Sequence, residues 1–156
     1  MSRLCCLLLF AFLACAAAGC GKGKESIATH PVSGQVFYAG KPAEGVVVYF
    51  YPTSAPMVPD IPSNPHGITG PDGKFTLTTF TSGDGAAEGG YQVILLWPPP
   101  AAEGEEVTSD RLLGWYDAAH STLTAQVKPG SNTFPGFNLR TVTRPPEVSQ
   151  GVPGRN

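Results

Sequence analysis

The side chains with reactive chemistry to offer are three histidines, four cysteines and a short run of carboxylates. His30, His66 and His120 stand far apart, and none belongs to a His-Glu-x-x-His or Cys-x-x-Cys pattern. A mononuclear zinc site takes three or four ligands, so this spacing reads as solvated loop histidines, with no metal and no cofactor expected. Glu103, Glu105, Glu106 and Asp110 crowd into one connection. Two carboxylates suffice for glycoside hydrolysis, but nothing apolar flanks Glu103 to Glu106 that would raise a pKa for acid catalysis. A run of acids is ordinarily a solvated surface. Loop oxygens could meet a calcium ion, yet no ligand loop of the EF-hand type is present. Asp72 and Asp84 fit turns better than a site. Ser82-Gly83-Asp84-Gly85 lacks the Lys-Ser or Lys-Thr of a phosphate cradle, and there is no Gly-x-Ser-x-Gly elbow. No residue is nominated as catalytic. Trp115-Tyr116 is the pair that stands out. In a long connection it could contact a partner protein or stack on a sugar ring; alternatively, one ring plugs the open end of a small β-domain. Trp97, ahead of Pro98-Pro99-Pro100, carries the same ambiguity.

The cysteines point to the N-terminus. Arg3 precedes an uncharged apolar run over residues 4–18. Fifteen-odd residues suit a signal peptide and fall short of the roughly 20 that span a bilayer. The run ends in Ala17-Ala18-Gly19-Cys20, small residues before a cysteine. This resembles the lipobox of bacterial lipoproteins, in which the thiol accepts a diacylglyceryl group and the new N-terminus is usually acylated. Ala17 stands where that motif usually has Leu. Cys15, after Phe12-Leu13-Ala14, is a rival inside the apolar run, but polar residues begin only at Gly21-Lys22-Gly23-Lys24, which favours Cys20. An uncleaved anchor helix is the alternative. The expectation is a signal peptide over 1–19, a lipidated tether over 20–29, and anchoring in the cell envelope. Gly21 rather than Asp after the lipidated residue points toward the outer membrane. Cys5, Cys6 and Cys15 would leave with the signal, so the mature domain would hold neither thiol nor disulfide.

The remaining chain must be held by its core. Gly and Pro are abundant, at 19 and 16 residues, and break the chain into short β-branched and aromatic runs. That pattern predicts an all-β domain. A net charge of −2 and the lack of any basic stripe argue against nucleic acid as a partner. Alternation predicts strands over 32–38, 46–51, 67–69, 74–80, 91–97, 122–127 and 134–139. Residues 46–51 are apolar on both faces, as in a central strand. Pro135 demotes the last strand to an edge. Five prolines exclude regular structure over 52–65. Gly70-Pro71-Asp72-Gly73 predicts a hairpin turn. Residues 81–90 form a Gly-rich loop, and 110–116 a short helical turn within the 101–121 connection. Residues 141–156 read as a disordered tail. Seven strands joined by turns predict a two-sheet sandwich over 30–140.

In order, Gly34-Gln35-Val36, Gly40-Lys41-Pro42, Gly45-Val46-Val47-Val48, Thr69, Asp72-Gly73-Lys74-Phe75 and Gly90-Tyr91-Gln92-Val93 resemble the carboxypeptidase regulatory-like domain. Tyr116, Ser121-Thr122-Leu123, Val127, Gly130, Asn132 and Leu139 look like the C-terminal half of small bacterial lipoproteins built on that domain. The resemblance covers residues 30–140 and implies a seven-stranded transthyretin-like (prealbumin-like) β-sandwich. Gly45, where that family often has Ala, and the proline-rich stretch over 52–65 depart from it. It implies a non-catalytic interaction or structural module, with no active site to carry over. The expected partners are the membrane, through the lipid, and an envelope protein or glycan, with Trp115 and Tyr116 as contact candidates. A carbohydrate-binding module is the first alternative and a hydrolase the second.

Overall fold

The computed structural model describes residues 27–55, 64–100 and 109–147. The signal peptide, Cys20 and most of the tether therefore lie outside the described residues, as do Glu103, Glu105 and Glu106. The described chain is all-β and contains no helix.

One sheet is built around β2 (Val32–Tyr38). A two-residue turn at Ala39-Gly40, both at positive φ (51° and 76°), folds β3 (Lys41–Pro42) back on its end. Paired positive φ values define a type I′ turn, whose twist matches that of the flanking strands. Beside β3 on the same edge, β6 (Lys74–Thr76) runs antiparallel, with Gly34 opposite Phe75. A Cβ at residue 34 would come within 2.6 Å of the Phe75 ring, so a glycine here is what lets that ring lie across the strand. The far edge of β2 takes two parallel pieces, β10 (Asn132–Thr133) and β11 (Phe137–Leu139). Pro135 separates them, because it has no N–H to give a ladder. The expected strand over 134–139 is thus a broken edge strand. Preceding β2, β1 (Thr29–His30) pairs with β7 (Ala86–Ala87).

The other sheet is antiparallel throughout, in the order β5 (His66–Ile68), β4 (Val47–Pro52), β8 (Gly89–Leu96), β9 (Thr124–Val127). Its central ladder runs from Val47↔Leu96 to Pro52↔Tyr91. The turn at Gly70-Pro71-Asp72-Gly73 corrects an expectation. It joins β5 to β6, which belong to different sheets, so it is a corner and not a simple hairpin; between its arms there is one bridge, His66↔Thr78. Gly73 sits at φ 73°, and a Cβ there would lie 2.5 Å from the Val36 carbonyl oxygen. Both the backbone conformation and the close approach demand glycine.

Alternation places Val48, Phe50, Phe75, Tyr91, Val93, Leu95 and Val127 inward, and side chains from both sheets form one core. Phe134 meets Phe50 edge-on at 5.7 Å, joining the broken edge strand to the opposite sheet. Burial of such side chains contributes roughly 1.5–3 kcal/mol each. The outer face of the second sheet also carries apolar rows. Val47 lies between Ile68 and Leu96, which are 64% and 42% exposed.

Two further expected elements differ. The strand over 74–80 stops at Thr76, because the Asp84 carboxylate accepts the amides of Thr79, Phe80 and Thr81 and curls the chain away from the ladder. The helical turn over 110–116 is a series of tight turns. Leu113 and Gly114 take positive φ (54° and 79°), which a right-handed helix excludes.

Candidate functional site

The end of the molecule where β8 runs into Pro98-Pro99-Pro100 brings Tyr38, Lys41, Glu44, Trp97 and Arg111 together. Trp97 continues β8 inward and is 7% exposed. Its indole N–H donates to the Glu44 carbonyl at 2.8 Å, and Tyr38 meets its ring edge-on at 5.2 Å. Asp110 organises the returning chain. One carboxylate oxygen accepts the amides of Trp97 and Leu112, both at 2.9 Å, and the other accepts the amide of Gly114 at 3.1 Å. Of the four acids singled out in the sequence, Asp110 is the one described, and its work is structural. Leu112, held by this bond, is fully buried in the core. The amide of Arg111 donates to the Trp97 carbonyl, and its guanidinium carbon lies 3.5 Å above the centre of the indole.

This lattice leaves a cleft of about 660 Å³ between the β2–β3 turn and the three prolines, lined by Lys41, Pro42, Glu44 and Arg111 among others. Sequence reasoning singled out Trp97 but missed Lys41 and Arg111. No linear pattern pairs an arginine in one connection with a tryptophan that ends a strand.

Trp115 and Tyr116 lie nearby and serve the chain itself. The Trp115 indole N–H donates to the Arg144 carbonyl at 2.7 Å, and the Arg140 guanidinium lies 4.5 Å over its ring. The Tyr116 ring packs on the core, and its hydroxyl accepts the Arg140 amide at 3.1 Å. The Tyr38 hydroxyl accepts the Val142 amide at 3.1 Å. Three aromatic side chains thus bind residues 140–144, and ordered contacts continue past Arg140, into what the sequence reads as tail. The tail beyond Glu147 lies outside the described residues.

The histidines occupy three separate places. His30 Nδ1 accepts the Gly130 amide, His66 Nδ1 lies 3.1 Å from the Asn64 carbonyl, and His120 Nδ1 lies 2.8 Å from Asp117. Among the described residues no three His, Cys, Asp or Glu side chains converge as metal ligands. Asp117 is held below the usual carboxylate range: slight burial pushes its pKa up, and hydrogen bonds from His120 and from the amides of His120 and Ala119 outweigh it. Asp72 is lowered by the Lys74 side chain and amide. Asp72 is the turn former expected, as is Asp84; Asp117 is a further one that the sequence reading did not single out.

No known family model matches the chain, and no curated protein does. Among solved structures, the chain is similar to the dioxygenase domain of a dioxygenase–carbohydrate-binding protein fusion from the cellulolytic bacterium Streptomyces sp. SirexAA-E. Identity is 24%, over 77% of this chain and 84% of that one, with a TM-score of 0.38. A likeness of that size carries no argument about activity or substrate.

Proposed function

We propose that the chain is a non-catalytic lipoprotein of the bacterial cell envelope, anchored by lipid on Cys20, whose β-sandwich is an interaction or structural module. The observation that carries the module reading is how the polar side chains are employed. Thr69 Oγ1 donates to the Ala43 carbonyl and accepts the Val46 amide, and the Ser121 hydroxyl donates to the Val93 carbonyl. These are the buried polar residues of the described chain, and each ties one backbone segment to another. Asp84 and Asp110 do the same for three amides each. Side chains bound in this way hold loops in place rather than act on a substrate.

The transthyretin-like topology of the carboxypeptidase regulatory-like domain belongs to the same proposal. Counting β1 with β2, β6 with β7 and β10 with β11 gives seven principal strands, with β3 as a tip. The glycan-binding alternative draws less support, since Trp97 lies under Arg111 and Trp115 under Arg140.

The anchor is tested by growing cells that express the full chain with labelled palmitate and then separating membranes. Each buried acyl CH₂ contributes about 0.8 kcal/mol, so more than one chain holds the protein firmly. The wild type and Cys15→Ser should carry label and sediment with membranes, and Cys20→Ser should do neither. Label on Cys20→Ser, or a processed wild type in the soluble fraction, refutes the anchor. Turnover by the purified chain that vanishes on substituting Glu103, Glu105 or Asp110 refutes the non-catalytic reading.

A further inference from the structure

We propose that the cleft beside Trp97 binds a carboxylate-bearing peptide segment, with Arg111 and Lys41 holding the carboxylate. The inference rests on the interaction-module reading and assigns it a place and a ligand chemistry.

The argument begins with the arginine. A guanidinium held over an indole face keeps its N–H donors at its own edge, as a planar fork matched to the two oxygens of a carboxylate. The Arg111 guanidinium carbon lies 3.5 Å over the ring centroid, and the residue is anchored through its own amide to the Trp97 carbonyl. The indole beneath it is fixed in turn by the Glu44 carbonyl. The fork is therefore set before any ligand arrives, which reduces the ordering cost of binding. Among the described residues Arg111 forms no ion pair, and no side-chain acceptor takes its N–H groups. Lys41, which lines the same cleft, is also outside the ion pairs of the described chain. Two cations without an ion pair among the described residues, at one concave site, complement an anion.

The rest of the lining selects among anions. Among the described residues that line it, four of eleven are proline and none is Ser, Thr, Asn or Gln. A sugar acid would bring many hydroxyls and find few partners for them. Prolines give stiff apolar walls that suit the aliphatic side chains flanking a peptide carboxylate. The carboxylate could be a chain terminus or an Asp or Glu side chain. Glu44 sits in the cleft and opposes any anion there, so its removal should tighten binding.

The test is titration of the purified full-length protein in detergent, followed by calorimetry. The probes are an acetylated alanine-rich hexapeptide ending in leucine with a free carboxyl terminus, the same peptide amidated, and the amide carrying one internal glutamate. Binding of the first or third probe, and not the neutral amide, is expected and tells which carboxylate is read. Arg111→Lys keeps the charge and loses the fork, so it should weaken binding about tenfold. Lys41→Gln, at an exposed residue, should weaken it several-fold without lowering the melting temperature. Glu44→Gln should strengthen it, which a purely structural role would not produce. No binding at millimolar peptide, equal binding of the neutral amide, or affinities unchanged in Arg111→Lys and Lys41→Gln overturn the cleft. If the cleft fails and the purified chain still shows no turnover that depends on Asp110, the module reading stands without it; turnover lost on substituting Asp110 fells both.

Discussion

Tyr91 shows how a single side chain ties the fold to solution conditions. It is 2% exposed, and its hydroxyl donates to the Ala87 carbonyl at 2.8 Å. Burial pushes its pKa up to about 12 from the ordinary 10.0. The folded state therefore favours the neutral phenol. The associated stability is complete below pH 10 and is lost as pH rises through 12, on the order of 2 kcal/mol in all. Chemical denaturation at pH 9 and pH 12 should show this loss in the wild type and its absence in Tyr91→Phe. Equal pH sensitivity in the two proteins would place the alkaline transition elsewhere. Alternation along residues 91–97 made this inward position legible in the sequence. The exact partner of the hydroxyl was not, because alternation fixes which way a side chain faces and not which carbonyl the folded backbone places at its tip.

Among the elements, the turn between β2 and β3 holds stored strain. Ala39 occupies the left-handed region at φ 51°, where a Cβ crowds the following carbonyl. Asparagine is the preferred residue at the first position of a type I′ turn. Ala39→Asn should raise stability by about 0.5–1 kcal/mol, read as a higher thermal midpoint. An unchanged midpoint would mean the turn is held by its surroundings and not by its own conformation. The strands of the sandwich were legible from alternation and from Gly and Pro. Their ends were not. Asp84 ends β6 by drawing in three amides from across a loop, and Leu113 with Gly114 turns an apparent helical pattern into successive bends. Tertiary hydrogen bonds decided both, and no local propensity carries that information. The same holds for the corner at Gly70 to Gly73: turn residues predict a reversal, but not whether its arms share a sheet.

On the scale of the whole molecule, the candidate cleft was half legible. Trp97 and its prolines were apparent as a strand end. Lys41 and Arg111 come to it from a tip hairpin and a distant connection, a juxtaposition set by packing the two sheets. The packing also makes the last segment indispensable. β10 and β11 cover the far edge of β2, and Phe134 and Phe137 seal the core beside them. A chain ended after residue 130 should lose cooperative unfolding, while one ended after residue 147 keeps it. Circular dichroism melts would decide, and a cooperative melt of the shorter chain would show that the edge pieces are dispensable.

The pairing of β2 with β10 and β11 has a further consequence in time. Ser33 and Thr133, hydrogen-bonded at 3.3 Å, are 100 residues apart in sequence. Early in the described chain, β2 must wait for β10 and β11 near its other end. Contacts that close so large a loop are slow to form. A chain leaving a ribosome or crossing a membrane from its N-terminus would therefore have β2 unpaired on one side until residues 132–139 had emerged. Its folding would be set by arrival of the final strand, not by the early hairpins.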